Sequence, residues 1–69
     1  MPTKKKQKSN VPDWARYRAR DRDGWVYFYA LEPKARSHGW VSGGIRQRDP
    51  SIQTQMRSDS WTETLTKIS

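Results

Sequence analysis

The sequence predicts an α+β domain that is mainly β: a small, twisted antiparallel sheet of three or four strands with a short C-terminal helix docked on it. Three observations carry that expectation. Trp14, Arg16, Arg18 and Arg20 alternate with Ala15, Tyr17 and Ala19, which is the two-residue period of a strand. Asp21-Arg22-Asp23-Gly24 follows, with Asp at a turn start and Gly where φ must be positive, as in a type I turn closed by a bulge. Trp25-Val26-Tyr27-Phe28-Tyr29-Ala30-Leu31 is then the densest run of β-formers in the chain, ended by Glu32-Pro33.

If Asp21 pairs with Trp25 across the bulge, the hairpin register follows. Ala19 faces Tyr27, Tyr17 faces Tyr29 and Ala15 faces Leu31 on one side. Arg20 faces Val26, Arg18 faces Phe28 and Arg16 faces Ala30 on the other. The first side is nearly all aromatic and small, so it is assigned to the core. The second is assigned to solvent, because burying three unpaired arginines is prohibitive.

Residues 33–39 read as a polar loop, Gly39-Trp40-Val41-Ser42 as a short third strand, Gly43-Gly44 as a turn or bulge, and Ile45–Arg48 as a further strand. Residues 51–57 admit two readings. Ile52, Thr54 and Met56 alternate with polar neighbours as in a strand, while Asp49-Pro50 also suits a helix start; the alternation favours the strand. Ser60-Trp61-Thr62-Glu63 has the pattern of a capping box, and Trp61, Leu65 and Ile68 fall on one helical stripe, predicting a helix over 61–68 anchored by Trp61.

Composition limits the chain to one small domain, residues 13–69, after a basic tail, residues 1–12, that lacks any apolar period and is expected to be disordered. Leu, Ile, Val and Phe number only nine of 69 residues, so the four Trp and three Tyr must supply the core. With so little core, self-association into a homo-oligomer is an accessible route to stability. The net charge is +7, and Lys4, Lys5, Lys6 and Lys8 supply four of those charges. Lys5-Lys6-Gln7-Lys8 also has the form of a nuclear address, a pattern that short basic runs match by chance. There is no cysteine, which removes disulfides and thiolate chemistry and fits a cytoplasmic location. No apolar run suits a bilayer or a secretory leader, so no membrane partner is expected.

Nothing in the sequence assembles a catalytic constellation, and no enzyme activity, cofactor or metal is expected. His38 is a lone loop histidine, a setting that is usually solvated. Asp21 and Asp23 lack the rest of a calcium loop, including its closing Glu. Gly39, Gly43 and Gly44 do not make a phosphate loop followed by a helix.

Two resemblances follow from these motifs. Pro12, Trp14, Asp23-Gly24, Tyr27-Phe28-Tyr29 and Trp40 stand in an order similar to that of WW domains. That resemblance implies a groove for a Pro-rich peptide formed by Tyr27 and Trp40. The connection before Trp40 is longer than in that family, and no Pro follows Trp40. Trp14, the Asp-x-Asp-Gly turn, the Tyr-rich strand with Pro33, Trp40 with Gly43-Gly44, and Ser60-Trp61 with Leu65 together resemble small accessory proteins of tailed phages and prophages. That resemblance implies a bacterial host cytoplasm and a role in binding host factors or nucleic acid.

Two functions are therefore expected of a non-catalytic binding protein. In the first, Arg16, Arg18, Arg20 and Arg22 hold phosphates while Trp25 and Phe28 stack on bases, and the Lys-rich tail adds sequence-blind affinity for nucleic acid, single-stranded or non-specific. In the second, exposed Trp, Tyr and Arg anchor a host protein, or a peptide between Tyr27 and Trp40.

Overall fold

The structure, a computed structural model, describes residues 11–68. The Lys4, Lys5, Lys6 and Lys8 tail lies outside the described residues. Six strands occur among the described residues: β1 Tyr17–Arg20, β2 Val26–Tyr29, β3 Lys34–Arg36, β4 Gly39–Val41, β5 Arg46–Arg48 and β6 Thr66–Lys67. β1, β2, β5 and β6 form an antiparallel sheet in the order β5-β2-β1-β6, and β3 pairs with β4 in a separate ribbon.

The β1–β2 hairpin has the expected register, Tyr17 with Tyr29, Arg18 with Phe28, Ala19 with Tyr27 and Arg20 with Val26. Its turn is local chemistry. The Gly24 amide donates to Asp21 O (2.9 Å) and the Asp21 amide to Trp25 O (2.7 Å), with Gly24 at φ +94°. The core lies on the aromatic side of this hairpin. Ala19, Tyr29 and Trp40 are buried together, and Tyr17, Tyr27, Trp61 and Leu65 pack against them. The opposite side is not the wet face that the alternation predicts. Val26 and Phe28 are buried there too, with Arg18 and Gln47 directly across from Phe28 on the neighbouring strands.

Three other expectations are corrected. Residues 34–36 are not loop but β3, a solvent-exposed strand paired with β4, so no apolar period marks it. Residues 51–57 form neither strand nor helix. They run irregularly across the β1–β2 turn, held by Met56 N–H to Gly24 O (3.1 Å) and by the Gln55 amide to Asp23 O.

The predicted helix 61–68 is a single 3-10 turn, Trp61–Glu63, followed by β6. The Ser60 side chain makes no capping hydrogen bond. The competing interaction is the open edge of β1. The Arg20 amide donates to Thr64 Oγ1 (2.8 Å), and the Ile68 amide donates to Arg16 O (2.8 Å). A helix would leave those edge groups without chain partners, and unpaired buried backbone is costly. Trp61 still anchors the segment. Its ring packs edge-to-face on Trp40 with centroids 5.8 Å apart.

Asp21 joins the two sheets. One carboxylate oxygen accepts from the Arg22 amide (2.7 Å) and from the Trp40 amide (3.1 Å) on β4. The approach is so close that a Cβ at Gly39 would overlap that oxygen, which makes glycine obligatory there. The Trp40 indole N–H donates to Arg20 O (2.9 Å), so the second ribbon is pinned to the end of β1 at two points.

Candidate nucleic-acid interface

The Arg stripe on β1 is tethered rather than free. Arg18 Nε donates to Asp49 Oδ2 (3.1 Å), and the Asp49 carboxyl is buried. Arg20 Nη1 donates to Gly24 O (2.7 Å) and Met56 O (3.4 Å). Arg16 is exposed. Phe28, at 1% exposure, leaves no ring face for a base. The structure therefore does not bring Arg16, Arg18, Arg20 and Phe28 together as an open stacking platform.

Asp49 explains the tether. Burial works to raise its pKa, but hydrogen bonds from the Ser51 hydroxyl (2.7 Å), the Ser51 amide (2.9 Å) and Arg18 outweigh it and hold the carboxyl below its ordinary value. Asp49 is thus ionised where Arg18 meets it, on the Phe28 side of the hairpin.

An Arg–aromatic surface does form, on the other face and from other residues. β5 lies beside β2 with Arg48 across from Tyr27 and Arg46 across from Tyr29. Side chains two apart on a strand share a face. Both arginines lean toward the β1–β2 turn and stack on the diagonal neighbour. Arg46 lies over Tyr27 and Arg48 over Trp25, each 4.5 Å from the ring centroid. Guanidinium and ring alternate along this edge, and all three residues of β5 are exposed.

A stacked guanidinium keeps its N–H fork in its own plane, so it retains donors for a phosphate while the ring beneath fixes its orientation. Arg46 also approaches Asp21 Oδ2 (3.7 Å), which draws off part of its charge; among the described residues Arg48 has no such carboxylate. Tyr27 is half-buried, and its pKa is raised by burial first and then by Asp23. It therefore stays a neutral phenol under Arg46.

The remaining predicted residues fall as follows. Trp25 is half-buried under Arg48, and Arg22 is exposed in the turn. Trp40 is 7% exposed and lies in the core beside Tyr29 rather than facing solvent with Tyr27. His38 is exposed and borders a hollow of about 370 Å³ with Asp21, Trp40, Ser42 and Arg46. Tyr29 is fully buried, and among the described residues its hydroxyl makes no hydrogen bond of good geometry, Arg46 being the donor nearest to one. Burial and the Asp21 carboxylate push its pKa up to about 12 against the opposing pull of Arg46. Among the described residues no group of three or more acidic or histidine side chains is placed to hold a metal, and no helix is long and apolar enough to cross a membrane.

Sequence reasoning missed Arg46 and Arg48. Their spacing around Gln47 in an expected strand already places both on one face; what it does not give is the neighbour across which they lie.

Comparison with known proteins adds no relative. No family model, curated protein or solved structure matches this chain.

Proposed function

We propose that the chain is a non-catalytic nucleic-acid-binding protein that holds single strands on the β5–β2 edge. The observation that carries this reading is the pair of stacks, Arg46 on Tyr27 and Arg48 on Trp25. Arginines hold phosphates, and the outer planes of guanidinia that rings support from beneath offer surface on which bases stack without regard to sequence. The two guanidinia are ordered before any ligand arrives, which reduces the entropy lost on binding. The Lys4, Lys5, Lys6 and Lys8 tail adds long-range attraction that salt screens. Arg16, exposed on the chain just before β1, contributes from outside the edge.

The test is titration of a fluorescent oligothymidylate over a range of salt. Wild type binds with log affinity falling linearly against log salt. The Arg46→Ala, Arg48→Ala double variant binds more weakly, with a slope shallower by about 1.4, since each lost phosphate contact to a single strand removes about 0.7. Trp25→Ala weakens binding by roughly 1–3 kcal/mol, because the Arg48–indole stack that supports a base is lost. Unchanged affinity and slope in the double variant refute the placement of the site. Absence of binding by wild type at low salt refutes the function.

One observation favours a second reading, attachment to a host protein. Leu31, Val41 and Ile45 are 55%, 43% and 60% exposed. They gather around the Ser42–Gly44 bend, where Ser42 Oγ donates to Leu31 O (3.3 Å). Apolar side chains grouped in this way are a common docking feature. Capture of one host protein by wild type, lost in Leu31→Asp and insensitive to nuclease, would favour it over nucleic acid.

A further inference from the structure

The β1–β2 turn carries a second cationic group that the edge does not use. Arg22 leaves the turn between Asp21 and Asp23, and the 55–57 segment crosses the same turn, with the Arg57 amide against Gly24. The two arginines border a hollow of about 370 Å³ together with Ser58, Asp59 and Trp61. That volume lies within the range of small-ligand sites, roughly 300–1,000 Å³.

Three properties of this hollow bear on what it takes. Arg22 and Arg57 are exposed, and among the described residues neither is ion-paired or hydrogen-bonded through its guanidinium. Trp61 is half-buried, and the plane of its ring is fixed by its edge-to-face contact with Trp40. A fixed indole beside two free guanidinia is the combination that accepts one aromatic ring and one phosphate. Asp59 supplies a single opposing charge on the same rim. Ser58 Oγ already accepts from the Ser60 amide (3.1 Å) but keeps its own proton to donate.

The turn links this hollow to the proposed edge. Trp25, which carries Arg48, directly follows Gly24, and Arg22 lies two residues before Gly24. We infer that the Arg22–Arg57–Trp61 hollow takes a further nucleotide of the strand held at the β5–β2 edge, with the base on Trp61 and the phosphate between the two arginines. The inference rests on the nucleic-acid reading and gives that reading a direction: the strand passes from Arg46 and Arg48, over Trp25, around the turn to Trp61. A rigid duplex cannot follow a path that bends around a turn, so the site selects single strands.

The experiment compares oligothymidylates of about four and about twelve nucleotides, spanning the short to long range of single-strand site sizes, on the full chain. The Arg22→Ala, Arg57→Ala double variant should bind the longer probe with a salt slope shallower by about 0.7, one phosphate contact being lost, and leave the shorter probe, which the edge alone accommodates, unaffected. Trp61→Phe keeps a ring for packing and removes one indole; the quenching produced by the longer probe should shrink, and that by the shorter should not. A duplex of the longer length should bind more weakly than the single strand.

Unchanged slope and quenching for the longer probe in these variants overturn the inference and leave the edge proposal standing. Equal loss for both lengths overturns it as well, because the hollow would then be part of the primary site. Failure of wild type to bind either probe overturns the nucleic-acid reading and the inference with it.

Discussion

Replacing Asp49 by Ala should remove a large fraction of the stability of this domain. The carboxylate accepts three hydrogen bonds, from Arg18 Nε (3.1 Å), the Ser51 amide (2.9 Å) and the Ser51 hydroxyl (2.7 Å). Removing one member of a fully buried pair costs about 3–5 kcal/mol. Here the Asp49 side chain is 3% exposed but Arg18 is 41% exposed, so the orphaned guanidinium and the exposed Ser51 regain water. A loss of about 2–3 kcal/mol is expected: all three bonds end on a charged acceptor, but the Arg18 and Ser51 donors are free to return to water. A chain of 69 residues has roughly 3–10 kcal/mol in total. With a urea slope of about 1 kcal/mol/M, the midpoint should move by about 2–3 M.

The pH dependence adds an independent readout. The folded pKa of Asp49 lies below the ordinary carboxyl value, so its contribution is complete above that ordinary value and is lost as pH falls through the folded pKa. Wild type should therefore lose stability toward acid, and Asp49→Asn, which keeps the shape without the charge, should lose less. Urea unfolding followed by tryptophan fluorescence at neutral and acid pH measures both quantities. Equal midpoints for wild type and Asp49→Ala would refute the reasoning.

Tyr29→Phe deletes a buried hydroxyl that has no well-formed partner among the described residues and should leave the thermal midpoint unchanged or raised, whereas a clear loss would reveal a bond to that oxygen from Arg46. Because burial pushes the Tyr29 pKa up to about 12, above that of a free phenol, its contribution is present below the unfolded pKa and disappears as pH rises through about 12. A spectrophotometric titration should show one tyrosine ionising only with alkaline unfolding. Thr64→Val keeps the shape but removes the acceptor for the Arg20 amide; faster hydrogen exchange at Arg20 and Ile68 with little change in the β1–β2 hairpin is expected, and uniform protection would count against it. Gly24→Ala places a methyl 2.9 Å from the Arg57 amide and the Met56 carbonyl carbon at φ +94°, and should lower stability by more than about 1 kcal/mol in a melting experiment.

The parts of the fold legible in the sequence are those fixed by neighbours. Asp21, Asp23 and Gly24 determine the turn, the turn sets the register, and the register puts Ala19 and Tyr29 in the core. Legibility stops where distant groups compete. Trp61, Leu65 and Ile68 have helical spacing, yet Thr62, Thr64 and Thr66 alternate between them, and β-branched residues favour a strand. The decisive term is the free edge of β1, more than 40 residues away in sequence, which no local pattern reports. Phe28 follows the same logic. It is buried on the side where Arg18 meets Asp49, a partner 31 residues away that no local alternation reports. At the candidate site Trp25 and Tyr27 were readable as aromatics beside a turn, but the cations that reach them come from β5, whose position in the sheet is a tertiary fact.

The outer edge of β5 presents Arg46, Gln47 and Arg48, and among the described residues no strand lies beyond it. Were two molecules to align there antiparallel about Gln47, each Arg46 would stand opposite the Arg48 of its twin, and like charges across a ladder repel. Fibrillar growth through this border is therefore opposed by electrostatics at low ionic strength and released as salt rises. Concentrated brine would thus remove the molecule's own safeguard against stacking, and scattered light should increase with added chloride rather than fall.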